Sequence, residues 1–88
     1  MRLLLHPYVN KFLERIDKKS SDDIKSHLRK LADDPFDREL NIKKLKGRDK
    51  KPVPFRLRVK DYRIIYFIID DEIKVTDIFH RNRGYGSI

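Results

Sequence analysis

Residues 55–83 read FRLRVKDYRIIYFIIDDEIKVTDIFHRNR, and the way this stretch divides into strands decides the fold. Phe55, Leu57 and Val59 alternate with Arg56, Arg58 and Lys60, the two-residue period of a strand with one apolar and one basic face. Lys60-Asp61 supplies a two-residue turn, although the most favoured turns of this length carry glycine second. That turn pairs Val59 with Tyr62 and sets Arg58 opposite Arg63. Tyr62, Ile64, Tyr66 and Ile68 continue the apolar face, while Arg63, Ile65, Phe67 and Ile69 continue the other. Asp70-Asp71-Glu72 marks the next reversal. With Asp71-Glu72 as the turn, His80 pairs with Arg63; with Asp70-Asp71 the pairing slides by two residues and the faces stay the same. In the last strand Ile73, Val75 and Phe79 share one face, and Lys74, Thr76, Ile78 and His80 share the opposite one. Under either turn Arg56, Arg58, Arg63 and His80 are expected on a single face, with Arg81 and Arg83 just beyond.

Two expectations follow from that face. Like charges directly opposite on a sheet are destabilising, by roughly 0.2–1 kcal/mol per pair on the scale of cross-strand effects. Arg58 beside Arg63 is best accounted for by an anion lying over them. Ile65, Phe67, Ile69 and Ile78 are placed on the side away from any helices, and little chain remains to cover them. An uncovered apolar strip beside a basic patch suggests a partner protein; the alternative is a central strand partly covered by the loop and tail.

Working outward, Arg2 to His6 is short and apolar and reads as a first strand, with Pro7 opening the first turn of a helix. Val9, Phe12, Leu13 and Ile16 fall at i, i+3, i+4 and i+7, one face of an amphipathic helix. Ser20 and Ser21, followed by Asp22 and Asp23, read as the cap and acidic first turn of a second helix. Its apolar face is Ile24, Leu28, Leu31 and Ala32, and it stops before Pro35. His27 is placed on its solvent flank. Phe36, Leu40, Ile42 and Leu45 can tie the following loop to the core. Lys43, Lys44, Lys46, Arg48, Lys50 and Lys51 form a basic run around Gly47, either a solvated loop or an arm that tracks phosphates. The expected architecture is α+β: an N-terminal strand, an antiparallel helical hairpin, and a three-stranded antiparallel meander, making one four-stranded sheet with the helices on one face.

The chain of 88 residues is expected to form a single domain over 1–88, with a net charge of +8 that suits polyanionic partners. With no cysteine, disulfides, thiol nucleophiles and zinc fingers drop out. His6, His27 and His80 have no metal-ligand spacing, and the glycines fit neither a P-loop nor a dinucleotide fingerprint. No metal and no cofactor are expected. No stretch approaches a membrane span and no leader opens the chain, so a cytoplasmic protein without a membrane partner is expected.

The order of these elements, with K-L-K-G at 44–47, F-R-L-R-V at 55–59, D-Y-R-I-I-Y at 61–66 and I-F-H-R-N-R-G-Y at 78–85, resembles the RelE/ParE toxin superfamily over nearly the whole chain. The resemblance implies a RelE-like toxin of a type II toxin–antitoxin pair. Its activity would be that of a metal-independent endoribonuclease, an mRNA interferase that cuts mRNA in the ribosomal A site by 2′-hydroxyl attack on the adjacent phosphate. It implies the ribosome, mRNA and an acidic, RelB-like cognate antitoxin as partners. Carried over by position, the catalytic candidates are Arg56, Arg58, Arg63, Arg81 and Tyr85. His80 joins them as the titratable group, because some members carry lysines where this chain has Arg56 and Arg58, and arginine hardly releases its proton. His80 can equally be a strand-end histidine oriented by a backbone carbonyl. Lys44, Lys46, Arg48, Lys50, Lys51 and Arg83 are the RNA-binding candidates, and Ile65, Phe67 and Ile69 the antitoxin-binding ones. Two other readings stay open: a ParE-type, non-nucleolytic inhibitor of DNA gyrase, and a basic RNA-binding domain without activity.

Overall fold

The computed structural model describes residues 1–45 and 51–84. The chain runs β1 (Arg2–Leu5), α1 (Pro7–Arg15), α2 (Lys18–Asp33), β2 (Asn41–Lys44), β3 (Phe55–Val59), β4 (Tyr62–Ile69), β5 (Glu72–His80) and a final turn of helix, α3 (Arg81–Gly84). The α+β arrangement expected from the sequence is present. The sheet has five strands, however, in the order β1-β5-β4-β3-β2. The added strand, β2, pairs antiparallel with β3 at the sheet edge, and the N-terminal β1 pairs parallel with β5 at the other edge.

Both helices start where a side chain satisfies otherwise orphaned N–H groups. At α1, His6 Nδ1 accepts the Tyr8 N–H at 3.0 Å and Pro7 opens the first turn. At α2 the cap is Asp17, whose Oδ2 accepts the Ser20 N–H at 2.9 Å. This corrects the placement of the cap at Ser20 and Ser21: the hairpin turn is only Ile16-Asp17, and Ser21 is a buried residue inside α2. His27 is half-buried rather than on the solvent flank, with Nδ1 2.8 Å from the Asp23 carbonyl one turn back.

The core lies between the helices and one sheet face. Val9 and Leu13 of α1 and Ile24, Leu28 and Leu31 of α2 meet Leu57, Val59, Ile64, Tyr66, Ile73, Val75 and Ile78. Of the loop anchors, Leu40 is buried and Ile42 packs against the core, whereas Phe36 is exposed.

The meander's first turn is as read: Val59 pairs with Tyr62 and Arg58 with Arg63. The second is Asp70-Asp71, pairing Ile69 with Glu72. Both aspartates have positive φ, 52° and 60°, the pattern of a type I′ hairpin turn, which aspartate tolerates better than most residues. The last strand then departs from the expected alternation. Tyr66 pairs with Val75, but Ile65 pairs with Asp77, so Thr76 is an extra residue opposite the Ile65–Tyr66 step. This β-bulge reverses the facing of everything after it. Asp77 serves the bulge directly, its Oδ1 accepting the Ile78 N–H at 2.9 Å. Ile78, expected on the open face, is 0% exposed in the core. Phe79, not His80, pairs with Arg63.

Candidate nucleic-acid interface

The sheet face opposite α1 and α2 follows from the pairing. On β3 the core takes Leu57 and Val59, which leaves Arg56 and Arg58 on the open side. Arg63 stands across from Arg58, and Lys43 of β2 across from Arg56. Cα atoms of directly paired residues lie roughly 5 Å apart. Three guanidinium groups and an ammonium therefore occupy a patch about two residues square on three neighbouring strands. A guanidinium offers a planar fork of N–H donors whose charge persists across the whole working pH range, suited to two oxygens of one phosphate.

Beyond this corner the same face turns apolar. Ile65, Phe67 and Ile69 continue along β4, all half-buried, and Leu4 of β1 and Lys74 of β5 line up beside Phe67. Phe79 stands next to Arg63. The two long helices, α1 and α2, pack on the opposite face.

The corner is tied to the β3–β4 turn. Arg63 Nη1 donates to the Lys60 carbonyl at 3.1 Å and to the Tyr62 carbonyl at 3.2 Å. Arg81, the first residue of α3, donates its backbone N–H to the Asp61 carbonyl at 2.7 Å. Its Nε lies 3.5 Å from Asp61 Oδ1.

His80 is not with the arginines. The bulge places it on the helix side, its ring edge-on to Tyr62 at 5.3 Å, while Tyr62 packs edge-on to Phe12 at 5.9 Å. Its Nδ1 accepts the Asn82 N–H at 3.2 Å, which puts the ring hydrogen on Nε2. The expectation that Arg56, Arg58, Arg63 and His80 share a face is therefore corrected to a face of Arg56, Arg58 and Arg63. The sequence carried a signal for this. Strict alternation from Ile73 and Val75 would have buried Asp77, and a buried unpaired carboxylate is far costlier than one bulge.

On the helix side an open cavity of about 380 Å³ is lined by Phe12, Ile16, Tyr62, His80 and Asn82, and a neighbouring one of about 340 Å³ by Tyr8, Lys11, Phe12, Arg15 and Ile16. Of the RNA-binding candidates, Lys44 ends β2 and Lys51 lies a few residues before β3, both exposed. Arg83 lies in α3. Lys46, Arg48, Lys50 and Tyr85 lie outside the described residues. Lys43, expected within the basic run, is instead carried to the arginine corner by its strand pairing with Arg56. No described helix is long and apolar enough to cross a membrane.

A family model described as the ParE toxin of a type II toxin–antitoxin system, parDE, matches residues 3–85. No curated protein matches the sequence. Among solved structures, the chain is similar to the archaeal RelE–RelB complex from Pyrococcus horikoshii, with a TM-score of 0.78, 27% identity, and coverage of 94% of this chain and 97% of that one. It is similar to the RelB–RelE antitoxin–toxin complex from Methanococcus jannaschii at a TM-score of 0.78 and 25% identity, covering 97% and 98% of the two chains. The isolated E. coli RelE toxin shares the fold at a TM-score of 0.72 and 17% identity, over 98% of this chain and 89% of that one.

Proposed function

This chain belongs to the ParE toxin family of type II toxin–antitoxin systems, and from that premise we propose that it is a RelE-type toxin that cleaves mRNA in the ribosomal A site. The observation that carries the reading is the corner where Arg58 faces Arg63 across two strands, with Arg56 beside them, on the side opposite α1 and α2. Folding gains nothing from opposed like charges. A phosphodiester laid over the corner turns that repulsion into charge-assisted hydrogen bonding.

In the reaction the ribose O2′ forms a bond to the adjacent phosphorus while the bond from phosphorus to O5′ breaks. The 2′-hydroxyl gives up its proton and the leaving 5′-oxygen takes one, leaving a 2′,3′-cyclic phosphate and a 5′-hydroxyl. Charge builds on the non-bridging oxygens of the pentavalent phosphorus, and preorganised guanidinium groups stabilise that state more than the ground state. The three arginines do this without titrating. The positive corner thus acts chiefly as an electrostatic cradle, with Arg81 at its edge.

An acidic cognate antitoxin is the expected protein partner, a reading supported by the two archaeal relatives having been solved as toxin–antitoxin complexes. The half-buried strip of Ile65, Phe67 and Ile69 is its proposed contact, beside a basic corner that suits acidic side chains. The family model is described as a ParE toxin, and the second reading, inhibition of DNA gyrase as the resemblance to ParE-type members implies, has no need of a phosphate cradle. Mapping mRNA 5′ ends on programmed ribosomes with the purified chain separates the two. Cuts between adjacent A-site nucleotides are expected. Intact mRNA, with gyrase supercoiling blocked or with RNA merely bound, overturns the nuclease reading.

A further inference from the structure

The β3–β4 turn gathers more polar contacts than a two-residue hairpin requires. On one side Lys60 Nζ lies 3.3 Å from Asp23 Oδ2 of α2. In the middle the Lys60 and Tyr62 carbonyls hold the Arg63 guanidinium at 3.1 and 3.2 Å. On the other side Asp61 grips Arg81 twice, by its carbonyl to the backbone N–H at 2.7 Å and by Oδ1 to Nε at 3.5 Å. Its second carboxylate oxygen, Oδ2, lies 4.0 Å from His80 Nε2. That nitrogen carries the ring hydrogen, because Nδ1 accepts from Asn82, and Tyr62 braces the ring from the side. One carboxylate therefore stands within ion-pair distance of both the Arg81 guanidinium and the His80 ring at the margin of the arginine corner.

Stability is a poor explanation for this arrangement. Asp61 and Arg81 are each 54% exposed, and an ion pair so open to water adds little to folding. A carboxylate beside a phosphate-binding corner also repels RNA. We propose that Asp61 is a positioning residue for the RNA-cleaving face: it fixes Arg81 and the His80 ring relative to Arg63, and does so against the electrostatic preference of the substrate. The inference rests on the nuclease reading given above. It assigns opposite effects to one charge, because removing the carboxylate favours RNA binding while letting Arg81 drift from the place where it is needed.

The test measures two quantities in Asp61→Asn, which keeps the side chain's shape and drops its charge. Cleavage of mRNA on programmed ribosomes, under single-turnover conditions, is expected to slow by roughly 10- to 100-fold. Affinity for a short single-stranded RNA, measured separately by fluorescence anisotropy, is expected to stay level or tighten. Asp61→Glu recovers most of the rate. Asp23→Asn, which cuts the turn's other tether, leaves the rate at the wild-type level. Wild-type cleavage by Asp61→Asn overturns the positioning role, and so does a loss of rate and RNA affinity together with a lowered Tm, which marks a merely structural residue. A wild-type chain that leaves mRNA intact overturns the nuclease reading itself, an outcome distinct from the other two.

Discussion

Arg63 is the side chain of the proposed phosphate corner whose guanidinium the backbone itself orders: two carbonyls of the adjacent turn hold Nη1. In the proposed reaction Arg63 donates to the transition state, so Arg63→Ala is expected to lower mRNA cleavage by about 10²- to 10³-fold with the circular dichroism spectrum and Tm retained. Unchanged cleavage would falsify a role for the corner in catalysis. Tyr66 illustrates the opposite case, a polar group whose whole surroundings are core. It is 1% exposed, stacks on Phe55 at 5.5 Å, and burial pushes its phenol up to about 12 from an ordinary value near 10. The unfolded chain thus releases this proton before the folded one does, so between pH 10 and about 12 the unfolded state binds fewer protons and stability falls as pH rises. Below pH 10 the contribution is complete. Thermal melts across this range are expected to show the decline, and Tyr66→Phe, which cannot ionise, to lessen it. The facing of these two residues, Arg63 open and Tyr66 inward, is legible from alternation alone, since each sits on a strand segment where the two-residue period holds. His80 was misplaced for the converse reason: its face depended on a residue count four positions earlier.

At the scale of the element, β5 decides which side chains the open face of the sheet carries. Its period breaks at Thr76, and the trace this leaves in the sequence is Asp77, a carboxylate at a position that strict alternation would bury. The prediction that separates the two registers is a lysine scan. Ile78→Lys buries an ammonium in the core and is expected to abolish folding. Ile65→Lys, on the open face, is expected to retain the fold, with circular dichroism and Tm near the parent's, and to weaken the antitoxin complex by at least tenfold in Kd. An Ile78→Lys variant that folds as stably as Ile65→Lys would mean that β5 alternates without a bulge, since both side chains would then lie on the open face. The strand β2 escaped notice because Ile42 alone among Asn41–Lys44 is apolar, and four residues with one buried position look like any loop tied to a core. The α2 cap was misread because Asp17, Ser20, Ser21 and Asp22 are all competent cap residues. The structure selects Asp17, and the N–H of Ser20 holds its carboxyl below the ordinary carboxylate range. Its contribution to α2 is present at neutral pH and is lost as pH falls through that lowered value.

For the whole molecule, the charge of +8 is legible in the sequence, but which face displays it is a property of the fold. Lysines and arginines also cover the helices, where Lys11, Arg15, Lys18, Lys25 and Arg29 are exposed. If net charge alone drew RNA to the protein, every one of these cations would count alike. If the open sheet face is the interface, only its own cations displace counterions. For single-stranded nucleic acid, the logarithm of the association constant falls with the logarithm of salt concentration by about 0.7 per phosphate neutralised. Arg58→Gln and Lys25→Gln each remove one unit of charge, leaving the chain with the same net charge, yet Arg58 stands on the open face of β3 and Lys25 on α2 across the core. Titrating short single-stranded RNA across a salt series is expected to give Arg58→Gln a slope shallower by about 0.7 and Lys25→Gln the parent slope. Equal changes in the two variants would show that RNA responds to the total charge, and that the gathering of Arg56, Arg58, Arg63 and Lys43 on one corner of the sheet serves some other anion.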